Sequence, residues 1–149
     1  MEQAGVVEDH EVALAAHTPT DELLQLPLLA EENVPKSGAA YAMSKRANHL
    51  RVQAAAVTWG DRGARINSIS PGIILTPLAR EEMSGPGAAG YRTMIEKSAA
   101  GRVGTPDEVA TVAGFLLGDD SAFITGADLL MDGGVIAALR AGRLSVDID

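Results

Sequence analysis

The sequence predicts an α/β domain with parallel strand pairing, and three observations lead to it. A proline-free run from about Ser37 to Trp59, rich in Ala, Leu, Lys, Arg and Gln, has the composition of one long helix. Two short segments, ARINSIS (64–70) and ADLLMDGG (127–134), have strand composition and end in Pro-Gly and Asp-Gly-Gly turns. Between them, TPDEVATVAGFLLG carries a full helix-start signature. Helices alternating with strands give parallel pairing. Two parallel strands cannot complete a buried ladder alone, so these elements look like the second half of a larger sheet.

Taken in order, residues 6–37 look like short helical pieces separated by Thr18-Pro19, Pro27 and Pro35, with TPTDELLQL opening on a capping threonine. The long helix stops between Gly60 and Gly63. After the first strand, TPLAREEM predicts a short proline-capped helix, and residues 91–100 predict another. Thr105 then caps a helix with proline at its first position and Asp107 and Glu108 in its first turn. The final stretch, RAGRLSVDID, reads as a frayed tail.

Composition narrows the function classes. The chain has 149 residues, 46% of them hydrophobic but only 3% aromatic, so any core is built from Ala, Val, Leu and Ile. With no cysteine there is no disulfide and no thiolate metal site, and the three histidines (His10, His17, His49) have no ligand-like neighbours in sequence. No metal site is expected. The net charge is −8, and residues 1–37 hold eight acids against the single base Lys36. Such a balance argues against a nucleic-acid partner, because phosphates need a basic surface. No stretch approaches the roughly 18 apolar residues of a membrane span, and the acidic start is unlike a signal peptide. A soluble, cytoplasmic protein is expected.

Two motifs carry chemistry. Tyr41 and Lys45 are four apart in the long helix and share one face. A cation held near a phenol stabilises the phenolate, and such a tyrosine can give a proton to a substrate oxygen or take one from it. A tyrosine packed on the core beneath a solvated lysine fits the same spacing. The second motif, GPGAAG (85–90), matches the dinucleotide pattern G-x-G-x-x-G, which requires a strand leading into it. Here the polar run PLAREEMS precedes it, so the match is accidental.

The order of motifs adds a resemblance. Tyr41-x-x-x-Lys45, then Asn67-Ser68-Ile69-Ser70-Pro71-Gly72 with Thr76 four residues on, then Thr125-Gly126 ahead of Asp132-Gly133-Gly134, resembles the C-terminal half of the short-chain dehydrogenase/reductase family over residues 38–136. The resemblance implies the C-terminal part of a doubly wound, Rossmann-like parallel sheet and an oxidoreductase using NAD or NADP. In that family Tyr41 would be the general acid/base for hydride transfer between a nicotinamide and an alcohol or ketone. Lys45 would bind the nicotinamide ribose and tune Tyr41. The loop Pro71, Gly72, Ile73, Ile74, Leu75, Thr76 would lie along the nicotinamide, with main-chain groups of Ile74 meeting its carboxamide and the Thr76 hydroxyl reaching carboxamide or phosphate. Residues 77–100, including GPGAAG, would be a mobile lid over the substrate, and the apolar residues Ile73, Ile74, Leu75, Leu78 and Met83 favour a hydrophobic or steroid-like alcohol over a sugar.

The family's phosphate-binding glycine loop would precede this segment. The resemblance therefore implies that the N-terminal nucleotide-binding half is missing, and that the chain is a truncated member with impaired activity. The family's substrate-binding serine would fall at Glu2, ahead of Gln3-Ala4-Gly5, where a carboxylate cannot donate to a carbonyl. Residues 1–37 would then be an acidic insertion or flap, and 137–149 a C-terminal tail. Two alternatives stand beside the oxidoreductase. One is a non-catalytic interaction module that forms a homo-oligomer through the helix at 38–59, with its small-residue face. The other is a fragment without a stable fold.

Overall fold

The computed structural model describes residues 14–34 and 36–145, and its contacts divide the chain into two compact units. The first comprises Met1–Ser68 with Ile124–Asp128, the second Ile69–Phe123 with Leu129–Asp149. Strands β1 (Ser68–Pro71) and β2 (Asp128–Met131) each begin in the first unit and end in the second. Ser68 N–H donates to Ala127 O, and four residues along both chains Gly72 N–H donates to Met131 O. That equal advance makes the pair parallel, as the alternation of elements predicts.

In the first unit the long helix, α1, runs Ser37–Gly60, one residue beyond the expected end. Its 24 residues include none that is buried. The segment before it differs from expectation. Residues 14–17 form a helical turn, but TPTDELLQL yields only a three-residue 3-10 turn, Leu23–Gln25, followed by a second at Pro27–Leu29. The cause is Pro27, which bars its predecessor from helical geometry; Leu26 sits extended at φ −65°, ψ 130°. Thr20 is not a helix cap: its hydroxyl lies 3.4 Å from the Arg51 guanidinium, which also donates to Ala15 O (2.8 Å) and Thr18 O (3.0 Å). The first part of that segment, residues 6–13, lies outside the described residues.

The first strand is shorter than ARINSIS suggests because Arg65 and Asn67 bond the opposite chain through their side chains, on either side of a single main-chain bond at Ile66 O. Arg65 and the Asn67 amide both donate to Ile124 O (3.1 and 2.9 Å), and the Asn67 side-chain oxygen accepts from Ala127 N–H (3.1 Å). Gly126, at φ +70°, lies where a Cβ would come within 3.0 Å of the Ala56 Cβ. Both the backbone angle and this close approach to α1 call for glycine.

In the second unit, α2 (Pro77–Glu82) starts at Thr76, whose hydroxyl accepts the Ala79 N–H at 3.1 Å. The turn through Gly85, Pro86 and Gly87 leads into α3 (Ala88–Lys97), which begins three residues earlier than the sequence suggests. A helix, not a strand, enters GPGAAG, so the dinucleotide pattern is excluded on context. The Tyr91 hydroxyl donates to Glu82 (2.8 Å) and links α2 to α3. Thr105 and Glu108 form the expected capping box of α4 (Pro106–Leu117). Past β2, Asp132 accepts from the N–H groups of Gly134 and Ile136 (2.8 and 2.7 Å) and so opens α5 (Val135–Arg140). The chain therefore does not fray at once where a tail was expected: Leu144 is buried and its N–H returns to Ala138 O. The signal missed was Asp132 acting as a cap across a Gly-Gly turn.

Two predictions follow from these contacts. A Cβ at Gly72 would lie 2.7 Å from the Asp132 Cα, a backbone atom that cannot rotate away. Gly72→Ala is expected to cost about 1–3 kcal/mol and to lower the thermal midpoint, whereas Gly87→Ala, which meets nothing within 4 Å, leaves it near the wild-type value. The Glu108 carboxyl is held at about 2, below its ordinary 4.5, first by the Arg102 guanidinium and then by the Thr105 N–H. A depressed carboxyl contributes stability above its unfolded value and loses it as the pH falls through the folded one. The difference in midpoint between wild type and Glu108→Gln is thus expected to be full above pH 4.5 and to vanish as the pH approaches 2.

Candidate active site

Tyr41 and Lys45 lie in the first unit, on consecutive turns near the start of α1. The helix forms there because Ser37 to Ala47 contains no proline and only one glycine, and its Lys36 N-cap residue is extended. The Lys45 ammonium sits over the Tyr41 ring, 5.3 Å from its centroid, a cation–π contact that holds the two side chains together. Tyr41 is 65% exposed, which leaves its hydroxyl open to a ligand. Ser44 donates to Tyr41 O at 2.8 Å within the same turn. Beside Ala40 and Ser44, the turns before α1 enclose an apolar groove of about 350 Å³ lined by Leu23, Leu28, Met43 and Ala47.

Pro71, Gly72, Ile74 and Thr76 lie together in the second unit, at the C-terminal end of β1 and just beyond it. Gly72 is pressed against Asp132, as described above. Ile74 forms an isolated parallel bridge with Gly104: Ile73 O accepts the Gly104 N–H, and Leu75 N–H donates to Gly104 O, both at 2.9 Å. Because successive residues of an extended chain turn their peptide groups to opposite edges, the N–H and C=O of Ile74 itself face away from Gly104. Thr76 accepts the Ala79 N–H, and its hydroxyl proton remains to donate elsewhere. The loop therefore offers a main-chain donor and acceptor on one residue, with a hydroxyl donor two residues on. That is the complement of a carboxamide.

Some polar residues were not legible as partners. His49, which has no ligand-like neighbour in sequence, lies 3.6 Å from the Asp128 carboxylate, and Ser68 donates to the same oxygen at 2.6 Å. Asp128 and His49 are far apart in the chain, so no local pattern announces them. Glu2, the expected stand-in for the substrate-binding serine, lies outside the described residues. Among the described residues, no helix is long and apolar enough to cross a membrane.

Comparison with known proteins places this geometry. The family model described as enoyl-(acyl carrier protein) reductase matches residues 10–136. A short-chain dehydrogenase/reductase of Alternaria brassicicola, bsc3, is 47% identical over 126 residues, covering 85% of this chain and 45% of that protein. A match of that length cannot be housed within residues 38–149, so it reaches into the segment before α1. Among solved structures, a 4-hydroxyisoleucine dehydrogenase complexed with NADH is 34% identical, with a TM-score of 0.59, over 66% of this chain and 40% of that one. A 2-deoxy-D-gluconate 3-dehydrogenase homologue from Agrobacterium tumefaciens with bound NADP is 29% identical, with a TM-score of 0.61, over 66% and 39%. The chain thus spans less than half the length of these relatives. With the tyrosine and lysine on one helix, the strand-end loop beyond β1 and the parallel pair all in the matched region, the chain belongs to the short-chain dehydrogenase/reductase family.

Proposed function

We propose that this chain carries the proton-transfer and nicotinamide-facing part of an NAD- or NADP-dependent dehydrogenase that interconverts a small-molecule alcohol and its ketone. The observation that carries the reading is the Tyr41–Lys45 pair, with the ammonium over the ring of an exposed phenol. The Tyr41 hydroxyl gives a proton to the substrate oxygen in reduction, and the phenolate takes it in oxidation. Lys45 stabilises the phenolate and binds ribose hydroxyls. The N–H and C=O of Ile74, in the loop that begins at Pro71 and Gly72, would hold the nicotinamide carboxamide, and the Thr76 hydroxyl would donate a further hydrogen bond. The nicotinamide, when bound, supplies or accepts the hydride. Adenosine and pyrophosphate need a glycine loop entered from a strand, and GPGAAG is not one. Full turnover on this reading requires a nucleotide-binding part beyond the residues described. The apolar residues Ile73, Ile74, Leu75, Leu78 and Met83 favour a hydrophobic alcohol over a polyol.

A second reading rests on α1. A 24-residue helix with no buried residue, and with Val57 and Trp59 exposed, is suited to pairing with another helix. On this reading the chain is an interaction module that forms a homodimer through residues 38–59.

Thermal unfolding with and without millimolar NADH or NADPH separates the two. Binding raises the folded state's stability by mass action, by about 2.7 kcal/mol at a hundredfold excess over Kd. The dehydrogenase reading expects a raised midpoint with one of the two cofactors. It also expects Tyr41→Phe to keep that rise while lowering turnover by roughly a hundredfold to ten-thousandfold. A midpoint insensitive to both cofactors, in a chain that sediments as a dimer and becomes monomeric on Val57→Asp, would favour the module. Turnover of polyols alone would overturn the hydrophobic-substrate assignment.

A further inference from the structure

The helix bearing Tyr41 has no fully buried side chain, and its apolar contacts come from half-buried residues such as Met43, Ala47, Leu50 and Ala56, so apolar packing supplies only part of what fixes its rotation about its own axis. Polar links must contribute, and one of them falls on the reactive pair's own side of the helix. His49 is one turn beyond Lys45 and two beyond Tyr41, about 12 Å along the axis from the latter. Its Nε2 lies 3.6 Å from Asp128 Oδ1, and the two side chains are only 28% and 22% exposed. The same carboxylate oxygen accepts the Ser68 hydroxyl at 2.6 Å, a short, charge-assisted bond.

Asp128 is a firm anchor because the backbone leading to it is held at several points. Asn67 grips Ile124 O and Ala127 N–H, Arg65 adds a second bond to Ile124 O, and Gly126 N–H donates to Ile66 O at 2.7 Å. Gly126 also brings this loop close against Gln53 and Ala56, one to two turns beyond His49. A partly exposed ion pair between two free side chains contributes little. Here Ser68 has already oriented the carboxylate, so less side-chain freedom is lost when His49 meets it.

We infer that Asp128, oriented by Ser68, anchors His49 and is thereby a positioning residue that sets the rotation of α1 and the aim of Tyr41 and Lys45. The catalytic consequence rests on the dehydrogenase reading above, where a displacement of about 1 Å at a reacting group costs on the order of a hundredfold in rate. The anchoring itself does not rest on it. Each of the three residues is far in sequence from at least one of its partners, and none touches the substrate or cofactor positions assigned above.

Amide hydrogen exchange on the 149-residue chain, followed by mass spectrometry, tests the anchor. His49→Gln and Asp128→Asn are expected to speed exchange of the amides of residues 41–51 by about threefold to tenfold, while the peptide covering 88–97 exchanges as in wild type. His49→Lys places a permanent cation within reach of Asp128 and is expected to restore the protection. If Asp128→Asn does not fold, the His49 pair of variants carries the comparison alone. Exchange that rises uniformly along the chain, or that is the same in the Gln and Lys variants, overturns the proposal. The readout needs neither cofactor nor turnover. A chain that binds no nicotinamide therefore counts against the dehydrogenase reading only, and unchanged exchange at 41–51 counts against the anchor only.

Discussion

The side-chain amide of Asn67 is the interaction on which the first unit depends. Its nitrogen donates to Ile124 O and its oxygen accepts from Ala127 N–H, so one planar group closes both ends of a four-residue loop. Asparagine is suited to this because it presents a donor and an acceptor side by side; aspartate would lose the donor and leucine both. With the loop closed, Ser68 N–H meets Ala127 O and the strand register is set. Asp128 then falls beside Ser68, and Gly126 beneath Ala56 of α1. The Asn67-Ser68 dipeptide is thus a structural clamp, whatever chemistry lies elsewhere.

The second unit uses close backbone approach for the same purpose. Gly72 has no room for a side chain because the Asp132 backbone occupies the place a Cβ would take, whereas at Gly104 only the end of the Ile74 side chain, which can rotate, comes as near. Asp132 in turn caps α5 with both carboxylate oxygens. The loop 71–76 is therefore held at Gly72 and again at the Ile74–Gly104 bridge, and the peptide groups of Ile74 are presented in a fixed direction. Fixed donors and acceptors at the C-terminal end of a parallel strand are where open α/β sheets bind their ligands.

The two units differ in how their helices are secured. Helices α2 and α4 start on threonine caps, and α4 adds a capping box closed by the bidentate Arg102–Glu108 pair. Helix α1 has no side-chain cap and no fully buried residue, and depends on Ala-rich propensity, half-buried apolar contacts such as those of Met43, Leu50 and Ala56, the Arg51 bonds to residues 15 and 18, and the link at His49. Exposed Leu129 and Leu130 in β2, with Phe115 and Leu117 in α4, leave apolar surface uncovered in the second unit as well. Uncovered strand faces are what a parallel pair taken from a larger sheet would show.

The sequence by itself determined the elements whose signals are local. The proline-free stretch gave α1 to within one residue, Thr-Pro pairs marked α2 and α4, and the Tyr41-x-x-x-Lys45 spacing placed both side chains on one face, because helical period and capping act over three or four residues. The family was legible for a related reason: its motifs recur in order along the chain. Only the tertiary structure decided what depends on residues far apart. It turned residues 65–67 from an expected strand into a clamp, since their partners lie near residue 125. It reduced TPTDELLQL to one 3-10 turn, Leu23–Gln25, the effect of Pro27 together with Arg51 taking up the backbone oxygen of Thr18. It continued the chain past residue 136 as a helix capped by Asp132. It joined His49 to Asp128, where no sequence pattern links a histidine on a helix to a carboxylate on a distant strand. Pairings of this kind are set by the path of the backbone, and only the folded chain brings their members within reach.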